Sequence, residues 1–233
     1  MFKNKKIGIV IPCYKVSRKI KKVVSKLPTF IDKIYLVSDA CTENSLDQIK
    51  SKSKKIIKIF RKKNGGVGAA VKDGYKLSLK DNNDITVRID GDGQMDLKLI
   101  KKFINPIIRK QAEFTKGNRF KNFYFLKEMP FARVVGNIFF SLLGNFQTRN
   151  FKIFDFLNGY TSISNNTLRK LIKKNLDNDY FFETCCIFYL SKMKIKILDI
   201  ETRPIYGDEK SNMNILTVGL GIFFKNLFFF KKK

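Results

Sequence analysis

Residues 6–27, KIGIVIPCYKVSRKIKKVVSKL, contain a strand-like segment, a loop and a helix-like segment in that order. Residues 6–11 form a short apolar run of the kind found in buried strands. After Pro12, apolar side chains recur at helical spacing, at positions 16, 20, 23, 24 and 27. A strand followed by a loop and a helix is the repeating unit of an α/β domain with a parallel sheet.

The same unit recurs along the first half of the chain. Further strand-like runs occupy residues 33–37, 56–60 and 85–89, and helix-like segments follow them. This alternation predicts a mostly parallel sheet flanked by helices. The loops after the strands then gather at one edge of the sheet, where open α/β sheets bind their ligands.

The composition indicates a globular protein with a strong positive charge. The 233 residues are 44% hydrophobic, and 47 Lys and Arg against 20 Asp and Glu give a net charge of +27. Such a charge favours nucleic acid, anionic lipid or phosphorylated substrates as partners, without choosing between them. The four cysteines lack metal-ligand spacing and histidine is absent, which excludes the usual zinc sites.

The loop after the fourth strand-like run, DGDGQ at residues 90–94, carries the most specific chemical signal. Asp90 and Asp92 can turn toward one point and offer oxygen ligands to Mg²⁺ or Mn²⁺. An Asp-Gly turn without a role in chemistry is the alternative.

Asp39 is a candidate hydrogen-bond acceptor for a nucleobase or ribose, or else a residue with an N-cap or turn role. The glycine loop at residues 64–70 has neither the Walker nor the dinucleotide-binding pattern, so it brings backbone close to a ligand or opens the next helix.

Two apolar segments in the second half indicate contact with the core or with a membrane. Residues 131–146 carry an apolar stripe at helical spacing, and this helix either packs on the sheet or lies on a membrane surface. Residues 214–233 are apolar and lysine-flanked but short for a bilayer span, so they form an interfacial amphipathic anchor or dock on the core. Since residues 1–11 do not resemble a secretion signal, we expect a cytoplasmic protein, peripheral on the cytoplasmic face of the membrane.

The loops together resemble those of the family 2 glycosyltransferases, which have the GT-A fold. The corresponding segments are residues 12–16, 38–43, 64–70 and 90–96. In the second half, residues 155–160, 180–184 and 203–211 are similar to segments of the dolichyl- and polyprenyl-phosphate sugar synthases. The resemblance implies one domain over residues 1–213, with a nucleotide-sugar-binding half (1–110) and an acceptor half (111–213), followed by the apolar segment 214–233.

The resemblance also implies the roles of individual residues. Asp90 and Asp92 hold Mg²⁺ or Mn²⁺ and the donor diphosphate, and Asp92 and Glu183 are the catalytic residues. Asn158 and Gly159 face the acceptor. The other residues implied for the nucleotide-sugar site are Pro12, Tyr14, Asp39, Gly68, Gln94, Arg119 and Arg203.

Three departures from the family pattern bear on the acceptor. Lys15-Val16 replaces the usual Asn-Glu, Ser38 replaces the first of two paired aspartates, and Cys185 stands where many members carry an acid. A sugar hydroxyl needs a carboxylate to take its proton, and Glu183 is the remaining candidate, whereas a lipid phosphate is already ionised and needs no strong base. From the likeness of the second-half segments to the polyprenyl-phosphate sugar synthases, and from the apolar, lysine-flanked segments, we expect inverting transfer from a UDP- or GDP-sugar to polyprenyl phosphate. The alternatives are transfer to a sugar hydroxyl of a surface polysaccharide or lipopolysaccharide, and a non-catalytic nucleic-acid-binding protein, for which no known motif is present.

Overall fold

The structure is a computed structural model, and it describes residues 1–43, 45–50, 53–203, 205, 221, 224 and 225. Its strands are β1 (Ile7–Cys13), β2 (Lys33–Ser38), β3 (Ile56–Phe60), β4 (Ile85–Arg88), β5 (Phe114–Asn118), β6 (Thr161–Ser164) and β7 (Ile197–Glu201). They form one sheet in the order β3-β2-β1-β4-β6-β5-β7. Strands β1 to β4 are parallel, β6 is antiparallel to both of its neighbours, and β7 is parallel to β5.

The four strands predicted from apolar runs are confirmed, and the sheet is mostly parallel as expected. The antiparallel β6 makes it a mixed sheet. Helices flank the sheet, as predicted. They are α1 (Ser17–Ser25), α2 (Val67–Lys80), α3 (Ile100–Ile108), α4 (Phe123–Leu126), α5 (Phe131–Thr148), α6 (Asn165–Leu171) and α7 (Phe182–Lys192).

The two faces of the sheet have separate hydrophobic cores. On β1, Ile7, Ile9 and Ile11 belong to the cluster that includes residues of α1 and α3. Val10 faces the other way, into the cluster that includes residues of α2, α6 and α7. Successive strand residues point to opposite faces, so a strand covered on both sides is apolar throughout. This burial explains why the first strand is a continuous apolar run.

Helix α5 confirms the helix predicted over residues 131–146, but five of the eight residues in its apolar stripe face away from the core. Phe131, Val135, Phe139, Leu142 and Phe146 are exposed. The buried side of the helix is formed by small and polar residues, namely Asn137, Ser141, Gly144 and Asn145. The helix is therefore held to the protein by its polar side.

Most of the predicted C-terminal anchor lies outside the described residues. Of residues 214–233, only Gly221, Phe224 and Lys225 lie within the described part of the chain. The predicted boundary at 213/214 and most of the 203–211 segment also fall outside it. Across the described ranges, none of the helices combines the length and apolar character needed to cross a bilayer.

Candidate active site

Seven of the predicted site residues line one pocket at the carboxyl end of β4: Asp90, Asp92, Gln94, Arg119, Asn158, Gly159 and Arg203. The pocket encloses about 110 Å³, and its walls also include Met95, Asp96, Leu157, Tyr160 and Thr202. Residues 90–96 follow β4, and residues 157–160 lead into β6. Because β4 and β6 are antiparallel neighbours, these two loops meet at the same edge of the sheet.

Asp90 and Asp92, the acid pair, have the chemistry of a divalent-cation site. Burial raises the pKa of the Asp92 carboxyl, and the charge of Asp90 raises it further. The Gln94 backbone N–H donates to Asp92 Oδ1 at 2.9 Å, in a turn where Gly93 has φ of +78°. A cation bound between the two carboxylates would relieve their repulsion. Within the described ranges, no group of three or more acidic, cysteine or histidine side chains forms a metal cage, so a cation here would take further oxygens from ligand or water.

Two arginines in the pocket are each held by a carboxylate. Arg119 donates to Asp155 from its backbone N at 3.0 Å, from Nε at 2.8 Å and from Nη2 at 2.6 Å. Burial raises the pKa of Asp155, but Arg119 outweighs burial and brings the pKa to about 2. Arg203 donates from Nε to Glu128 at 3.1 Å. Guanidinium groups are suited to binding phosphate, so the pocket offers two positioned groups to an anionic ligand.

Residues 155–160, called the acceptor loop after the role that the resemblance implies for them, are fixed from both ends. The backbone N–H groups of Asp155 and Phe156 donate to Ser141 Oγ of α5 at 3.0 and 3.3 Å. At the other end, the Tyr160 hydroxyl donates to the Asp96 carbonyl at 3.1 Å. Asp155 also has a left-handed φ of +59°, a conformation that Asp tolerates better than most non-glycine residues. Helix α5 and the loop after β4 thus set the shape of the pocket.

Arg88, which no sequence motif indicated, connects three parts of the site. Its side chain is 3% exposed, and its Nη2 donates to Asp90 Oδ1 at 3.1 Å. Its Nη1 donates to the Glu183 carboxylate. A Cβ atom at Gly159 would lie 2.9 Å from the guanidinium, so a larger residue there would have to displace it. The sequence feature that could have indicated Arg88 is its position as the one charged residue inside the apolar run 85–89.

Glu183, predicted as a catalytic residue, lies behind the pocket and does not line it. It is buried in α7 and lines a separate small cavity together with Arg88 and Tyr75. Burial raises the pKa of its carboxyl, although the charge of Arg88 opposes that rise. Its catalytic role stays a prediction, and the geometry gives the carboxylate a structural partner in Arg88.

Asp39 holds the glycine loop in this structure. Its Oδ1 accepts from the Gly65 N–H at 3.0 Å and from Arg61, and its Oδ2 accepts from the Gly66 N–H at 2.9 Å. Gly66 has φ of +90° and directly precedes α2. The loop therefore leads into the start of the helix, which is one of the two interpretations of the sequence. Arg61 was not predicted, and it links Asp39 to Asp73 of α2. The predicted contact of Asp39 with a nucleoside remains a prediction.

The other residues predicted for the nucleotide lie at neighbouring strand and helix ends. Pro12 pairs in register with Val37, and Tyr14, just after β1, is 45% exposed. A Cβ at Gly68 would lie 2.7 Å from the Asp177 carbonyl, so this glycine permits close packing at the start of α2. Tyr180 was not singled out; burial raises its pKa, and the charges of nearby acids including Asp90 contribute. Tyr180 is thus an aromatic side chain close enough to Asp90 to feel its charge.

The three residues that depart from the family pattern, Lys15, Ser38 and Cys185, lie in different parts of the structure. Lys15 has φ of +53°, and its backbone N–H donates to Cys41 Sγ at 3.0 Å. Ser38 is buried at the end of β2. Cys185 is fully buried in the core on the α2 face of the sheet, and its Sγ donates to the Asn175 carbonyl at 3.6 Å. Position 185 therefore points into the core.

Comparison with known sequences places this chain in a known family. The sequence profile of Glycosyl transferase family 2 matches residues 8–195. UDP-N-acetylglucosamine–dolichyl-phosphate N-acetylglucosaminyltransferase of Methanococcus voltae is 30% identical over 96% of both chains. An uncharacterized protein of Methanocaldococcus jannaschii is 24% identical over 94% of this chain and 90% of its own.

Solved structures agree with the fold. Glucosyl-3-phosphoglycerate synthase of Mycobacterium tuberculosis, in complex with Mn²⁺, UDP and phosphoglyceric acid, superposes with a TM-score of 0.74 at 13% identity, covering 97% of this chain and 78% of that one. The same enzyme with Mg²⁺ and UDP gives a TM-score of 0.68 at 13% identity, over 97% and 79% of the two chains. The helix-flanked mixed sheet is thus GT-A-like, and with the profile match over most of its length the chain is a glycosyltransferase that belongs to family 2.

Proposed function

We propose that this glycosyltransferase moves a sugar from a UDP-sugar to a polyprenyl phosphate such as dolichyl phosphate, with inversion at the anomeric carbon. The observation that carries the proposal is one pocket that contains both an acid pair and two carboxylate-held arginines. Such a pocket suits two anionic groups, a metal-bound diphosphate and an acceptor phosphate. The Methanococcus voltae relative, named for a UDP-sugar and dolichyl phosphate, supports the same pairing.

On the donor side, Asp90 and Asp92 would hold Mg²⁺ or Mn²⁺. The bound metal would neutralise the negative charge that develops on the departing UDP. Solved structures of similar fold contain Mn²⁺ or Mg²⁺ with UDP, which supports a divalent ion. Arg88 fixes the Asp90 carboxylate from behind, and the Gln94 N–H fixes that of Asp92. Both acids are thus oriented before the donor binds, which lowers the cost of reorganisation.

On the acceptor side, the geometry favours a phosphate over a sugar hydroxyl. An ionised phosphate oxygen attacks the anomeric carbon as the bond from that carbon to UDP breaks, and no proton has to be removed. A hydroxyl acceptor would need a base, and the predicted base Glu183 is paired with Arg88 outside the pocket. Arg119 and Arg203 would orient the phosphate, each held in place by its carboxylate partner.

The test is UDP release by the purified full-length protein. Release from a UDP-sugar should require Mg²⁺ or Mn²⁺ and rise when polyprenyl phosphate is added, and a GDP-sugar serves as the donor control. Asp92→Asn should abolish release. Asp96→Asn is the matched control, because Asp96 lines the same pocket and its Oδ1 only caps a 3₁₀ turn by accepting from the Lys98 N–H. Equal turnover of Asp92→Asn and wild type would rule out the metal assignment.

A further inference from the structure

The exposed stripe of α5, called here the α5 apolar face, consists of Phe131, Val135, Phe139, Leu142 and Phe146. Their exposed fractions run from 48% for Val135 to 82% for Phe131. Their spacing of three or four residues places them on one side of an 18-residue helix. Soluble proteins rarely leave such a contiguous apolar surface in water, and where they do it marks an interaction site.

The surface continues beyond the ends of the helix. Tyr124 of α4 is 67% exposed, and Phe151, three residues after α5, is 74% exposed. Among the described residues, seven of the fourteen exposed large hydrophobic side chains thus fall between positions 124 and 151. A partner that covers this region would contact aromatic side chains along its whole length.

The charge around the α5 apolar face is positive. Lys121, Lys127, Arg149 and Lys152 are exposed in the segments that flank it. The only acid between residues 114 and 154 of the sequence is Glu128, and Arg203 pairs with it. Exposed aromatic residues bordered by lysine and arginine are typical of proteins that lie in the interface of an anionic membrane.

The opposite side of α5 holds the acceptor loop, which lines the pocket. Ser141 accepts the Asp155 and Phe156 N–H groups, and a Cβ at Gly144 would lie 2.6 Å from the Phe156 ring. The acceptor loop therefore lies on one side of α5, and the α5 apolar face lies on the other. A surface bound to that face would be one helix diameter, about 10 Å, from the acceptor loop.

We propose that the α5 apolar face docks on an anionic lipid bilayer and places the pocket beside the head groups. The inference rests on the proposed function, since a polyprenyl phosphate presents its phosphate at the membrane surface. The side chains enter the boundary between head groups and acyl chains, and the flanking lysines and arginines contact lipid phosphates. Membrane docking then uses a helix of the catalytic domain, whatever residues 214–233 contribute.

The test is co-sedimentation of full-length protein with vesicles of phosphatidylcholine and phosphatidylglycerol, compared with phosphatidylcholine alone. Wild type should prefer the anionic vesicles and dissociate as salt is raised. The double variant Phe131→Ser/Phe146→Ser should lose about tenfold or more in partition coefficient, since each change removes a large apolar side chain from the interface. Phe60→Ser is the matched control, because Phe60 is 60% exposed on β3 and should leave binding unchanged.

Size-exclusion chromatography of the same proteins distinguishes a bilayer from a second copy of the chain as the partner of the α5 apolar face. A wild-type dimer that the double variant converts to monomer, with vesicle binding unaffected, would assign the face to a second copy of the chain and overturn the proposal. Unchanged vesicle binding by a monomeric double variant, or equal binding to neutral vesicles, would overturn it too. UDP release in detergent solution tests the proposed function separately, because the double variant leaves every residue of the pocket in place.

Discussion

Replacing Arg88 by methionine should show how strongly the site depends on this buried arginine. The change removes the partner of Glu183, whose side chain is 9% exposed, and leaves its carboxylate in the interior. Breaking a buried pair on one side costs about 3–5 kcal/mol. Asp90 also loses a hydrogen bond, but its side chain is 34% exposed and is hydrated in compensation, so it adds little. For 233 residues, this loss corresponds to a melting temperature lower by roughly 6–10 °C.

The stability lost in Arg88→Met should also depend on pH. Burial raises the pKa of Glu183, and removing Arg88 raises it further because the attraction of its charge is lost. A carboxyl whose pKa is raised in the folded state binds more protons there than in the unfolded chain, so stability falls as pH rises through that window. The Arg88→Met destabilisation should therefore be smaller near about pH 5 than near about pH 8.

Urea unfolding of the wild type, Arg88→Met and a double variant measures these changes in the free energy of unfolding. The double variant Arg88→Met/Glu183→Leu removes both charges and should recover most of the stability, because apolar replacements of a buried pair are often neutral. A single variant that loses less than about 1 kcal/mol, or a double variant as unstable as the single one, would refute the reasoning about the buried pair. UDP release should fall in both variants, since Asp90 is no longer held.

Two further substitutions test the acceptor side. Gly159→Ala should lower kcat about tenfold to hundredfold by displacing the Arg88 guanidinium, and unchanged steady-state kinetics would contradict the close contact. Ser141→Ala should cost about 1–3 kcal/mol in urea unfolding, because it leaves the N–H groups at the start of the acceptor loop without their acceptor. Ser191→Ala is its control, since the Ser191 hydroxyl has no hydrogen-bond partner among the described residues; equal losses would show that the Ser141 bonds do not matter.

The first four strands could be predicted because each is an apolar run between polar loops. Strands β5 (FTKGN) and β6 (TSIS) could not, since they contain mostly polar or small residues. Their burial comes from their neighbours in the sheet. Lys116 of β5 is fully buried and donates to the Gly117 and Phe154 carbonyls, contacts that follow only from the tertiary structure. Local pattern is a weak guide where tertiary contacts satisfy polar groups.

The acid pair could be predicted from sequence because it directly follows a buried strand. Arg88 could not be assigned a role, because its partner Glu183 is 95 positions away in the chain. The α5 apolar face shows a related limit. Periodicity predicted the helix correctly, but which side is buried depends on the Ser141 and Gly144 contacts with the acceptor loop.

The most direct test of the proposed function is the identity of the product. Full-length protein would be incubated with a labelled UDP-sugar, dolichyl phosphate and Mn²⁺, and the mixture extracted with organic solvent. We predict label in the lipid phase that mild acid releases as free sugar, and no such label when metal or dolichyl phosphate is omitted. Label found only in an acid-stable, water-soluble glycan would contradict a phosphate acceptor.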